Sequence, residues 1–113
     1  MKRRILQTKK FATTIDSLIE KKKLLASDFE LLKKQLVENP EEGDLIRGTG
    51  GIRKVRLKSA TKGKSGGFRV CYFDHPEAEE LFLLLIYPKN EQEDLTTADR
   101  KALKELIDTI KRR

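Results

Sequence analysis

The period of the apolar residues changes at Gly43, and that change constrains the fold more than any other feature of the chain. Before it, Phe11, Ile15, Leu18 and Ile19 recur at helical spacing, as do Phe29, Leu32, Leu36 and Val37. Each set makes one apolar stripe along a helix. After it, Ile52 to Lys58 and Phe68 to Phe73 alternate with period 2, and Leu81 to Tyr87 is apolar throughout. Alternation is the pattern of a half-buried strand, and a short apolar run suits a strand covered on both faces. The helical period returns at Leu103, Leu106, Ile107 and Ile110. A stripe built for one period cannot serve the other without turning polar residues into the core.

The local punctuation agrees. Ser27 and Glu30 have the spacing of a capping box, Asn39-Pro40 stops the helix they would open, and Lys21 to Lys23 suit the C-terminal dipole of the preceding one. Ile5 and Leu6 mark a short edge strand. The connections after Gly43 are glycine-rich or contain Pro76, which predicts an antiparallel meander. The last helix starts near Thr96 or Thr97. The order is β-α-α-β-β-β-α. This is an α+β architecture with an N-terminal helical hairpin packed on a small antiparallel sheet. At 113 residues, with no repeat and no long linker, residues 1–113 are expected to form a single domain.

The charge is local. Residues 43–70 hold eight basic residues and one acid, which accounts for the whole formal net charge of +7. Period 2 puts Lys54, Arg56 and Lys58 on one face of their strand, with Val55 and Leu57 on the other. Like charges stacked on one face repel, so they suggest a surface that meets phosphate. Their mutual field also favours a neutral lysine, which could then act as a general acid or base. A solvated strand protected by lysines against edge pairing has the same composition.

The loop that follows, ATKGKSGG, carries Lys62 and Lys64. Its Gly63-Lys64-Ser65 imitates the end of a phosphate-binding P-loop, but position 58 is Lys where that motif needs Gly, and a strand follows where it needs a helix. Nucleotide hydrolysis is therefore excluded, and a cationic hairpin tip that follows a nucleic-acid backbone by charge remains. Arg69 offers bidentate phosphate contacts. Among the nearby aromatics, Tyr72 and Phe73 read as core, whereas Tyr87 ends its strand and is expected to expose its hydroxyl for stacking or proton transfer. His75, between Asp74 and Pro76, reads as a surface turn residue, and with no second histidine a two-histidine ribonuclease mechanism is excluded. Glu41-Glu42 and Glu79-Glu80 read as solvated.

Cys71 is the only cysteine, so neither an internal disulfide nor a cysteine metal site is expected, and a reducing cytoplasm is the natural home. MKRRILQTKKF starts basic but lacks the apolar stretch of a signal peptide, and Leu81 to Tyr87 is too short to cross a bilayer. No cofactor or metal is expected.

The stretch GDLIRGTGGIRKVRLKSATKGKSGGFRVCYF, followed by the apolar strand and LIYPKNEQEDLTTADRKAL, resembles the RelE/HigB superfamily of bacterial toxin–antitoxin toxins, and most of all its HigB-type branch. The likeness is close over residues 43–107 and extends to the N-terminal helices in layout. The resemblance implies a microbial-ribonuclease-type sheet and a ribosome-dependent messenger ribonuclease acting in the A site without metal. It also implies restraint by a HigA-like helix-turn-helix antitoxin. The family's basic strand falls on Lys54, Arg56 and Lys58, its next-strand arginine on Arg69, and the residues after its last strand on Tyr87, Lys89 and Asn90. Lys54, Arg56, Arg69 and Tyr87 are thus the expected catalytic residues, and Arg53, Lys58, Lys62, Lys64, Lys89 and Asn90 the expected RNA contacts. Some members place an arginine where Asn90 stands, and others carry a C-terminal tyrosine or histidine that this chain lacks. A ParE-like gyrase inhibitor and a non-enzymatic nucleic-acid clamp are the alternatives.

Overall fold

The computed structural model describes residues 3–58, 67–89 and 95–113. Strand β1 (Arg4–Gln7) leads into helices α1 (Lys9–Glu20) and α2 (Ala26–Glu38). Four strands follow: β2 (Asp44–Leu45), β3 (Ile52–Leu57), β4 (Phe68–His75) and β5 (Glu80–Pro88). A 3-10 turn (Pro76–Ala78) joins the last two, and helix α3 (Thr97–Lys111) closes the chain. The sheet order is β1-β5-β4-β3-β2. Strands β3, β4 and β5 form the expected antiparallel meander, and β1 is the expected edge strand, but it runs parallel to β5. The helical hairpin between β1 and the later strands returns the chain to the same side, as a parallel pairing requires.

The sheet divides the core in two. On one face Phe11 and Ile15 of α1 and Phe29, Leu32 and Leu36 of α2 pack on Leu57, Phe68, Val70, Tyr72, Leu81, Leu83 and Ile86. On the other, Ile107 and Ile110 of α3 pack with Ile52, Cys71, Phe73, Leu84, Leu85 and Tyr87. Strand β5 is central and covered on both sides, which is why its sequence is apolar at nearly every position.

The helix ends differ in part from the sequence reading. Thr96 caps α3 by accepting a hydrogen bond from Asp99 N–H. Helix α1 ends where Lys22 takes a left-handed conformation and Lys23 N–H reaches back to Leu18 O at 2.9 Å. Helix α2, however, begins at Ala26, so Ser27 lies inside the first turn. Leu25 stands at the cap, and Asp28, not Glu30, closes the turn by accepting from Leu25 N–H at 3.1 Å. Two-residue β2 is too short to leave a periodic signal, and the sequence reading missed it.

Two further residues depart from expectation. His75 ends β4 and is half-buried, its ring stacked 6.0 Å from that of Phe73. Glu80 is buried, where it accepts hydrogen bonds from Arg4 and Arg113. Among the described residues, no helix is long and apolar enough to cross a membrane.

Candidate active site

The register of the three-stranded meander sets a row of side chains across the sheet. Arg56 pairs with Arg69, and Arg69 pairs with Tyr87. Directly paired residues share a face, with Cβ atoms about 4.5–5.5 Å apart. Lys54 lies two residues from Arg56 on the same strand, in the row Lys54–Cys71–Leu85. Cys71 and Leu85 belong to the core under α3, which fixes the face: all four expected catalytic residues emerge on the α3 side.

They do so at one end of the strands. The last turn of α3 sits at the other end, where Lys111 Nζ donates to Gly50 O at 2.8 Å and approaches the Phe73 ring. Toward the row, Arg56 near the end of β3 and Lys58 just beyond it are exposed.

Tyr87 reaches this face because of an irregularity in β5. The pairing passes from Tyr72↔Leu83 to Cys71↔Leu85, so Leu84 is an extra residue. Leu84 and Leu85 both pack toward α3, and the alternation beyond them is inverted. Strict alternation from Leu81 and Leu83 would have turned Tyr87 toward the helical hairpin. The side chain is also buried, contrary to the expectation of an exposed hydroxyl, because its ring joins the α3-side core.

The electrostatics of the row are unfavourable for folding alone. Arg56 and Arg69 are like charges held directly opposite each other, an arrangement that costs a few tenths of a kcal/mol to about 1 kcal/mol. Arg69 Nε is buried and has no hydrogen-bond partner among the described residues. A buried donor left in this way is a place where an acceptor is missing, and a phosphate oxygen would supply one. Gly67 adds room: a Cβ there would stand 3.2 Å from Arg56 Nε. Its carbonyl accepts from Lys89 N–H at 3.2 Å, which ties the exit of β5 beside the entry of β4.

The remaining expected RNA contacts divide. Lys58 and Lys89 are exposed at the same end of the sheet as the row. Lys62, Lys64 and Asn90 lie outside the described residues. Arg53 is on the opposite face, where its Nη1 donates to Gly43 O at 2.7 Å. That contact makes it part of the scaffold rather than of the basic face. Tyr72 joins it there: its hydroxyl donates to Pro40 O and accepts from Gly43 N–H, both at 2.8 Å. Burial raises the Tyr72 pKa, and the Gly43 hydrogen bond opposes the rise. Sequence reasoning did not single out Gly67 or the extra residue in β5. Two consecutive glycines ahead of Phe68 were the visible hint of the first; a run of leucines conceals the second.

The register gathers Lys54, Arg56 and Arg69 on one sheet face beside the buried Tyr87, an arrangement whose chemistry suits a phosphate group. A family model described as the RelE toxin of the RelE/RelB toxin-antitoxin system matches residues 3–112. The chain belongs to that family, and so is a toxin of the messenger-RNA-cleaving kind. Among solved structures it is similar to an E. coli RelE toxin, an arginine-to-alanine double mutant in the free state. The two are 24% identical, with a TM-score of 0.52 over 82% of this chain and 90% of that one. At that identity the likeness shows the fold, and it bears out the α+β reading.

Proposed function

We propose that this toxin cuts messenger RNA in the ribosomal A site, using the row Arg56–Arg69–Tyr87 and Lys54 beside it. The observation that carries the reading is the directly opposed arginine pair, which opposes folding and suits an anion held between two guanidinium groups. Arg56 and Arg69 clamp the scissile phosphate. The ribose 2′-hydroxyl loses its proton and attacks phosphorus, forming the O2′–P bond. The P–O5′ bond breaks, and the leaving 5′-oxygen takes up a proton, which leaves a 2′,3′-cyclic phosphate. Positive charge from the arginines stabilises the dianionic transition state. Lys54 is assigned the proton transfer, and Tyr87 supports the nucleotide or assists that transfer.

Lys58 and Lys89 hold the flanking backbone, together with Lys62, Lys64 and Asn90. No metal or cofactor takes part. The ribosome supplies the orientation of the attacking hydroxyl, so modest acid–base equipment suffices. The cytoplasm is the site of action, and a HigA-like helix-turn-helix antitoxin is the partner that restrains it.

Induction of the toxin without its antitoxin, followed by mapping of RNA ends, tests this. Cuts within translated messages are the expected result. Intact messages would overturn it, and DNA damage signalling with uncut messages would point to gyrase instead. Arg69→Ala separates an enzyme from a clamp, because cleavage should fall far more than RNA binding does.

A further inference from the structure

We infer that Gly67 is a positioning residue for the cleavage reaction. By carrying no side chain, it lets Arg56 lean from β3 across β4 and meet Arg69 at the phosphate. The inference rests on the RNA-cleaving reading above and adds to it the residue that brings the two guanidinium groups together.

Gly67 stands one residue before β4, and its carbonyl accepts from Lys89 N–H at 3.2 Å. Alternation puts positions 67 and 69 on one face, while Phe68 between them packs under the helical hairpin. Arg56 is directly opposite Arg69, so Gly67 is its diagonal neighbour on that face. Diagonal neighbours are about 7–8 Å apart, within reach of a long side chain. Arg56 makes that reach. A Cβ on Gly67 would lie 3.2 Å from Arg56 Nε and 3.8 Å from Arg56 Cγ. The Arg56 stem therefore lies over the bare position.

A glycine beside a hairpin loop is ordinarily there for its backbone freedom. That reason does not apply here: Gly48, Gly50 and Gly51 have positive φ, and Gly67 does not. Close packing against backbone is the second ordinary reason. It holds at Gly43, where a Cβ would stand 2.6 Å from Lys54 O. At Gly67 the nearest backbone contact is Leu57 O at 3.5 Å, an ordinary van der Waals distance. A side chain at position 67 would meet the Arg56 stem first.

The lean matters because the two arginines repel. It brings the Arg56 charge above β4, the strand that carries Arg69, whose buried Nε has no hydrogen-bond partner among the described residues. One phosphate can then engage both guanidinium forks. A methyl group on residue 67 would push the Arg56 stem aside by a few tenths of an ångström or turn it to another rotamer. Rate falls steeply when a group that holds the reacting phosphate is displaced.

The experiment compares Gly67→Ala with wild type, as full-length toxin on ribosomes programmed with messenger, in both the native and the Arg56→Ala background. Alanine suits the ordinary φ of this position, so the melting temperature should stay the same or rise. In the native background kcat should fall about fivefold or more with KM within about twofold, because the other cations still hold the messenger. In the Arg56→Ala background the same change should cost less than about twofold, since the stem that it displaces is gone. Unchanged kcat in Gly67→Ala would overturn the inference and leave the RNA-cleaving reading intact. Equal losses in both backgrounds would also overturn it, and would mean that the RNA itself approaches the glycine. A lowered melting temperature would make the glycine a requirement of the fold and overturn it as well. A wild type that cuts nothing would remove the RNA-cleaving reading and the inference with it.

Discussion

Arg56 and Arg69 stand directly opposite each other across the β3–β4 ladder, two guanidinium groups in a position where sheets ordinarily pair unlike charges. Stability and activity should therefore respond in opposite directions when either is replaced. Arg69→Gln and Arg56→Gln are expected to leave the melting temperature unchanged or slightly raised, by up to about 1 kcal/mol of relieved repulsion. Each should lower cleavage about 100-fold or more, the usual scale for losing one transition-state donor. Calorimetry and a programmed-ribosome cleavage assay measure the two effects. A variant that loses stability and activity together would show the pair to be structural.

Tyr87 tests what the irregularity in β5 achieves. Tyr87→Phe keeps the ring in the α3-side core and removes only the hydroxyl. Stability should change by about 1 kcal/mol or less, while cleavage should fall about tenfold or more if the hydroxyl assists proton transfer. An unchanged rate would restrict Tyr87 to packing. The pH dependence of the rate, compared between the two proteins, shows whether a titrating group has been lost.

These residues also show where the sequence was legible. The helical hairpin, the meander and the edge strand followed from the apolar period, because burial on one face enforces it. Lys54 and Arg56 were chosen because a run of like charges on alternating positions has no folding benefit, and Arg69 because arginine makes bidentate phosphate contacts; the sheet register brings the three to one face. Tyr87 was chosen for its place at a strand end and was expected on the surface. Its actual face depends on one extra residue at Leu84, and a run of consecutive leucines carries no period from which such an insertion can be read. Arg53 lies apart from the others. Its neighbours in sequence are catalytic candidates, but alternation turns it toward Gly43, whose carbonyl it binds. The parallel pairing of β1 was hidden because direction in a sheet depends on the path of the intervening helices.

Gly43 should be intolerant of a side chain, although it packs with Arg53 and Tyr72 on the side of the sheet away from the basic row. A Cβ there would stand 2.6 Å from Lys54 O and 2.9 Å from Tyr72 Cε1. The first contact is backbone and cannot rotate away. Gly43→Ala should destabilise the protein by about 2 kcal/mol or more, within the range of overpacked sites. Arg53→Ala, which removes the side chain that binds the Gly43 carbonyl, should cost less, about 1 kcal/mol. Denaturant unfolding of the two variants checks the order. A Gly43→Ala protein as stable as wild type would mean that the β2–β3 corner yields more easily than its contacts indicate.

Glu80 sets the acid limit of stability. It accepts hydrogen bonds from Arg4 at the start of the sheet's edge strand and from Arg113 beyond the end of α3, the latter at 2.7 Å. The Arg4 hydrogen bond holds its carboxyl below the usual value of 4.5; burial opposes that shift and Arg113 adds to it. A carboxylate whose pKa is lower when folded stabilises the native state above its unfolded pKa. That contribution is lost as pH falls from about 4.5 through the lower folded value. The melting temperature should therefore drop as pH is lowered through that window. Glu80→Gln should melt below wild type at neutral pH and show a shallower decline on acidification, because the group that gains a proton is gone. Both arginines are largely exposed, so water can solvate them once the carboxylate is removed, and the variant should still fold. Parallel melting curves for the two proteins between pH 7 and pH 3 would expose an error in this assignment.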